Sequence, residues 1–574
     1  MRGFVLLLVS TLLVVSFAQA DKPMKTVAAT NPENSTGGLE QQFAPSTLPI
    51  GATARVGTYT SLTGFYDYQS NGGGVQHIRV DPASGWIHVV FMVGDDSSDY
   101  NNARRTAYAF STDGGVSWNN LGDIRVPSDR RSGFPTLDLA KGPFAGGVLI
   151  ANHAVVGTPV KTIVSVDYPP GSGVFAELGT QGNFATGEPI WPYVAGAADG
   201  SVITHSSINT TAGTDVNYLQ RTTDFLSWSS WQQFPLVGAT GNGGRSTTLG
   251  SAGGKVGTIY NAVASGVFFL ESTDNGATWP STATQIHPPT RIEGPDTFQN
   301  FVGVDFVYNG ETPLFVFEEL NVGVNEPTDG AQATFWSQAT GYVVAATKTN
   351  TPGAADLNLG WVNYPTLGTS SIGMSGSTIV IAYNRVQTDT AAGGFNFSDV
   401  WLVHSTDGGA TWSTPSNLTN TPDLDERYPS VSKWNAPGEV NIVWQEDTQP
   451  GPFAFNGGFT LAPVSRASQV FMKVQLSTDV DEEEGIAKNF ALRQNYPNPF
   501  NPSTKIAFRI PNSTDVRLSV HNTLGQEVAT LVDGYRSAGA YEVDFSGKDL
   551  PSGVYFYSLR AGKFSDFKKM ILVK

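Results

Sequence analysis

The chain has 574 residues, 63 of them glycine, 11% aromatic and none cysteine. That length exceeds one small domain, and the lack of cysteine excludes a disulfide frame, a thiolate zinc site and a Cys nucleophile. A net charge of −16 argues against a nucleic-acid partner, because phosphate binding needs clustered Lys and Arg.

Met1 to Ala20 reads as a secretory signal peptide, with Arg2, an apolar run from Phe4 to Phe17 and Ala18-Gln19-Ala20 ahead of the cleavage point. The run is short for a bilayer, and no other stretch offers a span, so the mature chain is expected to lack a transmembrane segment. Residues 21–52 are polar and rich in Pro, Asn, Ser and Gly, which predicts a flexible leader.

Over residues 53–480 an internal repeat governs the chain, and repeats take precedence over local patterns. Ser111-Thr-Asp-Gly-Gly-Val-Ser-Trp118, Ser272-Thr-Asp-Asn-Gly-Ala-Thr-Trp279 and Ser405-Thr-Asp-Gly-Gly-Ala-Thr-Trp412 share one pattern. Weaker copies stand at Ser165–Asp167, Thr222–Asp224 with Trp228, and Ser477–Asp479. The aspartates can accept from the N–H groups of their own turn, the glycines allow a backbone that a Cβ would obstruct, and the tryptophans can bury a ring between sheets. A second landmark starts at His77, Phe134, Trp191, Ser246, Phe301, Ser371 and Tyr428, with spacings of 57, 57, 55, 55, 70 and 57 residues. Seven units with room for four strands each predict a β-propeller, with six blades if the irregular fifth unit is a decoration. The first strand, around Thr53–Tyr59, is expected to pair into the last blade and close the ring. The eight-residue pattern resembles the Asp-box, or BNR repeat, of sialidases and other propellers.

Residues 481–489 are an acidic linker, and the character then changes. Phe490–Lys574 carries 11 Lys/Arg and 7 Asp/Glu, a charge of +4 against −20 for the rest. Alternating strands at Lys505–Ile510, Val516–His521, Ala540–Phe545 and Val554–Leu559 predict a small Ig-like β-sandwich. Asn495-Tyr-Pro-Asn-Pro-Phe-Asn-Pro-Ser-Thr-Lys505, Leu524-Gly-Gln-Glu-Val528, Leu550-Pro-Ser-Gly-Val-Tyr555 and the terminal Lys568–Lys574 resemble the type A C-terminal sorting domain of the type IX secretion system. The resemblance implies that the secretion machinery is a partner. It also implies export across the outer membrane, followed by release or attachment at the cell surface.

Propeller topology places the loops before each innermost strand and after each second strand at one end, the mouth, where function is expected. Arg131, Arg245 and Arg427, with Trp191 and Tyr428, fall before innermost strands. Asp95, Asp96, His153, His205, Glu318, Glu319, Tyr383, Arg385, Glu446 and Asp447 follow second strands. Arginines from several blades could hold one carboxylate through their planar forks. The sialidase resemblance implies Arg245, Arg385 and Arg427 as an arginine triad, Tyr428 or Tyr383 as nucleophile with Glu318 or Glu319 as its partner, and Asp95 or Asp96 as the acid. The chain departs from that family in lacking its Phe/Tyr-Arg-Ile-Pro motif ahead of Ser111. The one match, Phe508-Arg-Ile-Pro511, lies in the C-terminal region and reads as coincidence. The seven histidines have no metal-ligand spacing, and neither a cofactor nor a metal is expected. Three functions follow: a surface propeller that binds glycan or protein at its mouth, a glycoside hydrolase of sialidase type, and an architectural part of the cell surface.

Overall fold

In the computed structural model the described residues run from 56 to 574, apart from 70–73, 100–101, 156–159, 179–187, 209–215, 235–245, 263–264, 323–330, 352, 354–365, 392–393, 452–463, 477–490, 496, 511–512, 537–538 and 563. The chain divides into two compact units between Leu476 and Ser477. The predicted signal peptide, leader and linker lie outside the described residues.

The first unit holds seven sheets among the described residues, antiparallel but for one two-residue parallel pair, each built on one innermost strand. In chain order these are Ile78–Val80, Ser132–Leu139, Ile190–Gly196, Ser246–Ala252, Asp296–Asn309, Leu367–Ser375 and Asp425–Val431, and they define blades 1 to 7. Each innermost strand touches the next, and blade 7 meets blade 1 again, so the sheets form a ring. The Thr58–Gly64 strand pairs with Ala467–Gln475 as the outermost strand of blade 7. That pairing closes the β-propeller by hydrogen bonds between the two ends of the ring. Blades 5 and 6 each add a fifth strand, Arg291–Glu293 and Trp434–Asn435.

Among the described residues, seven apolar clusters lie one at each junction between neighbouring blades, and an eighth gathers Tyr66, Tyr68, Met92, Phe134 and Trp191. Val90 and Tyr108 of blade 1 pack on Leu137 and Ile150 of blade 2, and Val380 and Val400 of blade 6 pack on Ile442 and Trp444 of blade 7. Second strands such as Ile87–Gly94 are therefore buried on both faces throughout their length, which explains their near-continuous apolar sequence.

The repeated turns lock these junctions. In blade 6 the Asp407 carboxylate accepts from Thr411 N–H at 2.9 Å and Thr411 Oγ1 at 2.6 Å, and Ser405 Oγ accepts from Gly409 N–H at 2.9 Å. Blades 1 and 4 repeat this around Asp113 and Asp274. The second glycine of the turn lies on the preceding blade. A Cβ on Gly409 (φ +93°) would come within 2.1 Å of the Phe335 ring, and one on Gly115 (φ +92°) within 1.9 Å of Phe471. Trp412 and Trp118 then pack on those same rings, with centroids 5.3 Å and 5.2 Å apart.

The second unit is a sandwich of two sheets. One is Ala491–Leu492, Ser503–Ile510 and Gly539–Ser546; the other runs Glu527–Arg536, Thr514–His521, Gly553–Ala561, Phe564–Leu572 in spatial order. Ile506, Phe508 and Phe545 face Leu518, Tyr557 and Met570 in its core. Asn495 fastens the entry: its N–H donates to Tyr557 Oη at 2.8 Å, and its amide donates to Pro497 O and Thr504 Oγ1 at 3.0 Å each.

Candidate functional site

The mouth is built from an irregularity repeated around the ring. In blades 2 to 7 the pairing of innermost and second strand slips near the mouth, at Gly133/Thr136, Ile190/Tyr193, Ser246/Thr248, Asn300/Val304, Gly368/Ser371 and Arg427/Ser430. Such bulges re-aim side chains and are enriched beside functional sites. At four of them a non-glycine residue takes the left-handed conformation: Phe134 (φ 49°), Trp191 (58°), Thr369 (49°) and Tyr428 (56°). Each such residue stores about 1–3 kcal/mol of strain.

The chain also crosses this end. Beyond Gly64, Phe65 N–H donates to Gly94 O at 2.8 Å, Gln69 exchanges two bonds of 2.9 Å with the Met92 main chain, and Gln445 Nε2 donates to Asp67 O at 2.9 Å. Tyr66, Asp67 and Tyr68 are buried as a result. Gly74 to His77 then lie across the axis. Tyr193 Oη of blade 3 donates to Gly74 O at 3.4 Å, Gln76 Nε2 to Leu249 O of blade 4 at 3.3 Å, and His77 N–H to Ser430 Oγ of blade 7 at 3.0 Å.

Three groups of polar side chains surround this crossing. On blades 1 to 3, Arg104 lies over the rings of Tyr66 and Phe134, 5.1 Å and 5.2 Å from their centroids, and donates to Tyr66 Oη at 3.1 Å. Its other terminal nitrogen is 3.3 Å from His153 Nε2, and that imidazole packs edge-on against Phe134 and Trp191. On blade 7, Arg427 is fully buried with Nε 2.7 Å from Asp425 and a terminal nitrogen 3.9 Å from Asp67. Burial pushes the Asp425 carboxyl up to about 6, against the pull of Arg427, and also raises Asp447, Glu426 and Asp399. On blades 5 to 7 a line of hydrogen bonds runs from Glu318 through Thr369 and Asn384 to Tyr428. Thr369 N–H donates to Glu318 Oε2 at 2.7 Å, Thr369 Oγ1 donates to Asn384 Oδ1, and Tyr428 N–H donates to the same oxygen at 3.0 Å.

The residues singled out in the sequence are therefore distributed unevenly. Arg427, Tyr428 and Glu318 belong to the mouth network, and Arg245 lies outside the described residues. Arg385 is buried at the mouth, but its guanidinium donates to the carbonyls of Thr351, Thr366 and Val386 at 3.1, 3.0 and 3.3 Å. Asp96 is exposed in a turn, where Ser98 N–H and Oγ donate to it at 2.8 and 2.7 Å and hold its carboxyl below the usual range. Asp95 pairs with Arg125 at 2.8 Å, and Glu319 is held by Arg291 at 2.6 Å and His287 at 2.8 Å. Tyr66, Asp67 and Arg104 escaped the sequence reading, because nothing in the repeat marks a chain crossing the mouth. Among the described residues no group of three or more His, Asp or Glu is placed to hold a metal ion.

Comparison with known proteins bears first on the second unit. Residues 494–574 match the family of secretion system C-terminal sorting domains. The second unit is a sorting domain. It implies the type IX machinery as partner and the cell surface or exterior as destination. No helix among the described residues is long and apolar enough to cross a membrane. A search of curated proteins gives no match. Among solved structures, the chain is similar to a polysaccharide lyase of family PL25, an ulvan lyase bound to a GlcA–Rha3S fragment, at 12% identity over 72% of this chain and 96% of that one, TM-score 0.43. It is also similar to the GH93 α-L-arabinofuranosidase of Fusarium graminearum, at 15% identity over 61% and 98%, TM-score 0.38. A protein of unknown function from Dyadobacter fermentans is similar at 13% identity over 74% and 99%, TM-score 0.36. The sorting domain is thus the one part of the chain that these comparisons assign to a family.

Proposed function

We propose that this is a type IX-exported Asp-box propeller that binds glycan at the outer surface through its mouth, after removal of a signal peptide. The observation that carries the reading is the recurrence of left-handed, non-glycine residues at four equivalent bulges of the ring. Phe134, Trp191, Thr369 and Tyr428 all lie at mouth bulges. Strain of that kind persists where surrounding structure imposes it, and it clusters at binding and catalytic sites. Aromatic rings set among hydrogen-bonding groups suit a sugar, which offers both apolar ring faces and hydroxyls. The turns around Asp113, Asp274 and Asp407 have the Ser/Asp hydrogen bonding that suits Asp-boxes, and they serve packing at the opposite end.

A second reading, a glycoside hydrolase of sialidase type, draws support from the line joining Glu318 to Tyr428. Against it, Arg385 is committed to main-chain carbonyls and Arg427 to Asp425, which leaves no open arginine triad among the described residues. The test is to apply the full chain to a broad glycan array and, in parallel, to fluorogenic glycosides that include a sialoside. Retention on defined glycans without turnover, lost in Trp191→Ala or Tyr428→Ala, supports the binding module. Turnover abolished by Tyr428→Phe would replace it with the hydrolase, and neither retention nor turnover on any glycan would sink both.

A further inference from the structure

Glu318 and Glu319 are consecutive on the second strand of blade 5, so the pleat sends their side chains to opposite faces of the sheet. Glu319 is saturated. Arg291 donates to both of its oxygens at 2.7 and 2.6 Å, His287 Nε2 lies at 2.8 Å, and Gln332 and Thr334 also donate. Burial works to raise its pKa, but these bonds outweigh burial and hold it at about 2. Glu318 is 2% exposed and receives one hydrogen bond, from Thr369 N–H to Oε2. Its Oε1 is buried without a hydrogen-bond partner among the described residues. Burial pushes its carboxyl up to about 8, and the Thr369 bond opposes this only in part. At neutral pH the group is chiefly a carboxylic acid, with one O–H to donate.

Its position is built from both sides. On the innermost strand of the same blade, Gly303 makes room for it: a Cβ there would lie 2.5 Å from Oε2. Asp305, two residues along, is turned instead to Lys433 at 2.5 Å and to Ile372 N–H at 3.0 Å. On blade 6, Thr369 holds a left-handed backbone (φ 49°), where a β-branched residue is an outlier, and so aims its N–H at Oε2. Through Asn384 the acid is tied to Tyr428, the corresponding mouth residue of blade 7. A buried polar atom left unmatched is unfavourable by about 1–3 kcal/mol. Strain and an unmatched oxygen in one place call for an outside partner.

We propose that Glu318 is the hydrogen-bond donor of the glycan site, presenting Oε1–H to an oxygen that can only accept. In a glycan that oxygen is glycosidic, ring or carboxylate. This rests on the glycan reading of the mouth. A sugar hydroxyl can turn to donate to an ionised Glu318, whereas an acceptor-only oxygen loses its bond when the acid ionises.

The experiment titrates the full chain calorimetrically with the oligosaccharides retained on the array, in neutral and acidic forms, from about pH 6 to pH 9.5. Above about pH 8, affinity is expected to fall roughly tenfold per pH unit. An acidic sugar that falls while its neutral analogue fails to bind assigns the contact to a carboxylate; equal falls assign it to a glycosidic or ring oxygen. Glu318→Gln keeps an acceptor for Thr369 and gains an amide donor, so it should bind at pH 7 within roughly threefold of wild type and lose the alkaline decline. Glu318→Met should bind at least about tenfold more weakly than wild type at pH 7 and show no alkaline decline. If Gln fails at pH 7 as fully as Met, the group acts as a carboxylate acceptor and the proposal is wrong. It is equally wrong if both variants bind like wild type, since Oε1 would then face only protein and water. An infrared difference spectrum between wild type and Glu318→Gln needs no sugar. A carboxylic C=O band at pH 7 that fades above about pH 8 is expected, and its absence overturns the donor. Wild type that keeps this band yet binds no sugar overturns the glycan role.

Discussion

The two ends of the propeller use the same backbone device for opposite purposes. At the turn end, left-handed positions are mostly glycines: Gly115, Gly276 and Gly409 have φ of +92°, +77° and +93°, beside Phe225 (59°) and Asn275 (57°). There the lack of a Cβ lets one blade close on the next, and the Asp and Ser side chains of each turn find partners within it. At the mouth, left-handed positions carry Phe, Trp, Thr and Tyr, and buried carboxyls such as Glu318, Glu426 and Asp447 keep an oxygen without a hydrogen-bond partner among the described residues. The turn carboxylates are satisfied within their own turns, whereas several mouth carboxyls are left with an unmatched oxygen. Natural sequences break local rules mainly where function requires it, so the contrast separates the end that holds the ring from the end that works.

The largest effects should come from damaging what each end has already satisfied. Gly409→Ala drives a methyl to 2.1 Å from the Phe335 ring on a backbone that disfavours it. Overpacking and left-handed strain together should destabilise by roughly 2–5 kcal/mol, read as a lower Tm of the propeller transition in the full chain. Adding Phe335→Ala should recover part of that loss, and an unchanged double mutant would break the interlock argument. At the mouth, Arg291→Ala leaves Glu319 buried without its main counter-charge. The expected loss is about 3–5 kcal/mol, and the double change Arg291→Ala with Glu319→Gln should be milder than the single one.

The repeat made the ring legible. Seven landmarks spaced by 55 to 70 residues each mark an innermost strand, because every blade solves the same packing problem with similar residues. Closure by the first strand was legible too, although it falls at Thr58–Gly64 rather than around Thr53–Tyr59. In the sorting domain alternation found four strands and missed Glu527–Arg536 and Phe564–Leu572, whose sequences mix charge into both faces. The site was legible in location but not in chemistry. Topology puts Glu318, Glu319, Arg385 and Arg427 at one end. Which of them is already bonded depends on partners distant in sequence, such as Arg291, Thr351 and Thr369, and no local pattern encodes those. Tyr66 and Arg104 were invisible for the same reason.

Two sets of carboxyls should also answer pH in opposite directions. Glu318 and Asp425 are pushed up to about 8 and about 6 in the folded chain. The fold keeps protons there that the unfolded chain has released, so stability falls as pH rises from about 4 to about 8. Glu318→Gln should flatten the upper part of that decline in a urea-unfolding series. At the turn end Asp407 is held at about 2 by its bonds from Thr411. Its contribution is present above the ordinary carboxylate range and is lost as pH falls towards 2, a limb to which Asp113, Asp274 and Glu319 also contribute and which Asp407→Asn should therefore reduce while leaving the alkaline limb intact. Both limbs vanishing in either single variant would mean that the ends are not independent.

The smallest expected effect tests whether packing or backbone conformation makes the turn glycines necessary. Gly408 and Gly409 are adjacent, with φ of +76° and +93°, yet a Cβ on Gly408 would meet nothing within 4 Å. Gly408→Ala therefore incurs only the left-handed penalty, about 1–2 kcal/mol, and Gly408→Asn less, because Asn tolerates that conformation. A gap in Tm between the Ala variants at 408 and 409 measures the contact with the preceding blade. Equal losses would assign both to backbone conformation alone, and the turn would then be a local hairpin device rather than the lock between blades 5 and 6.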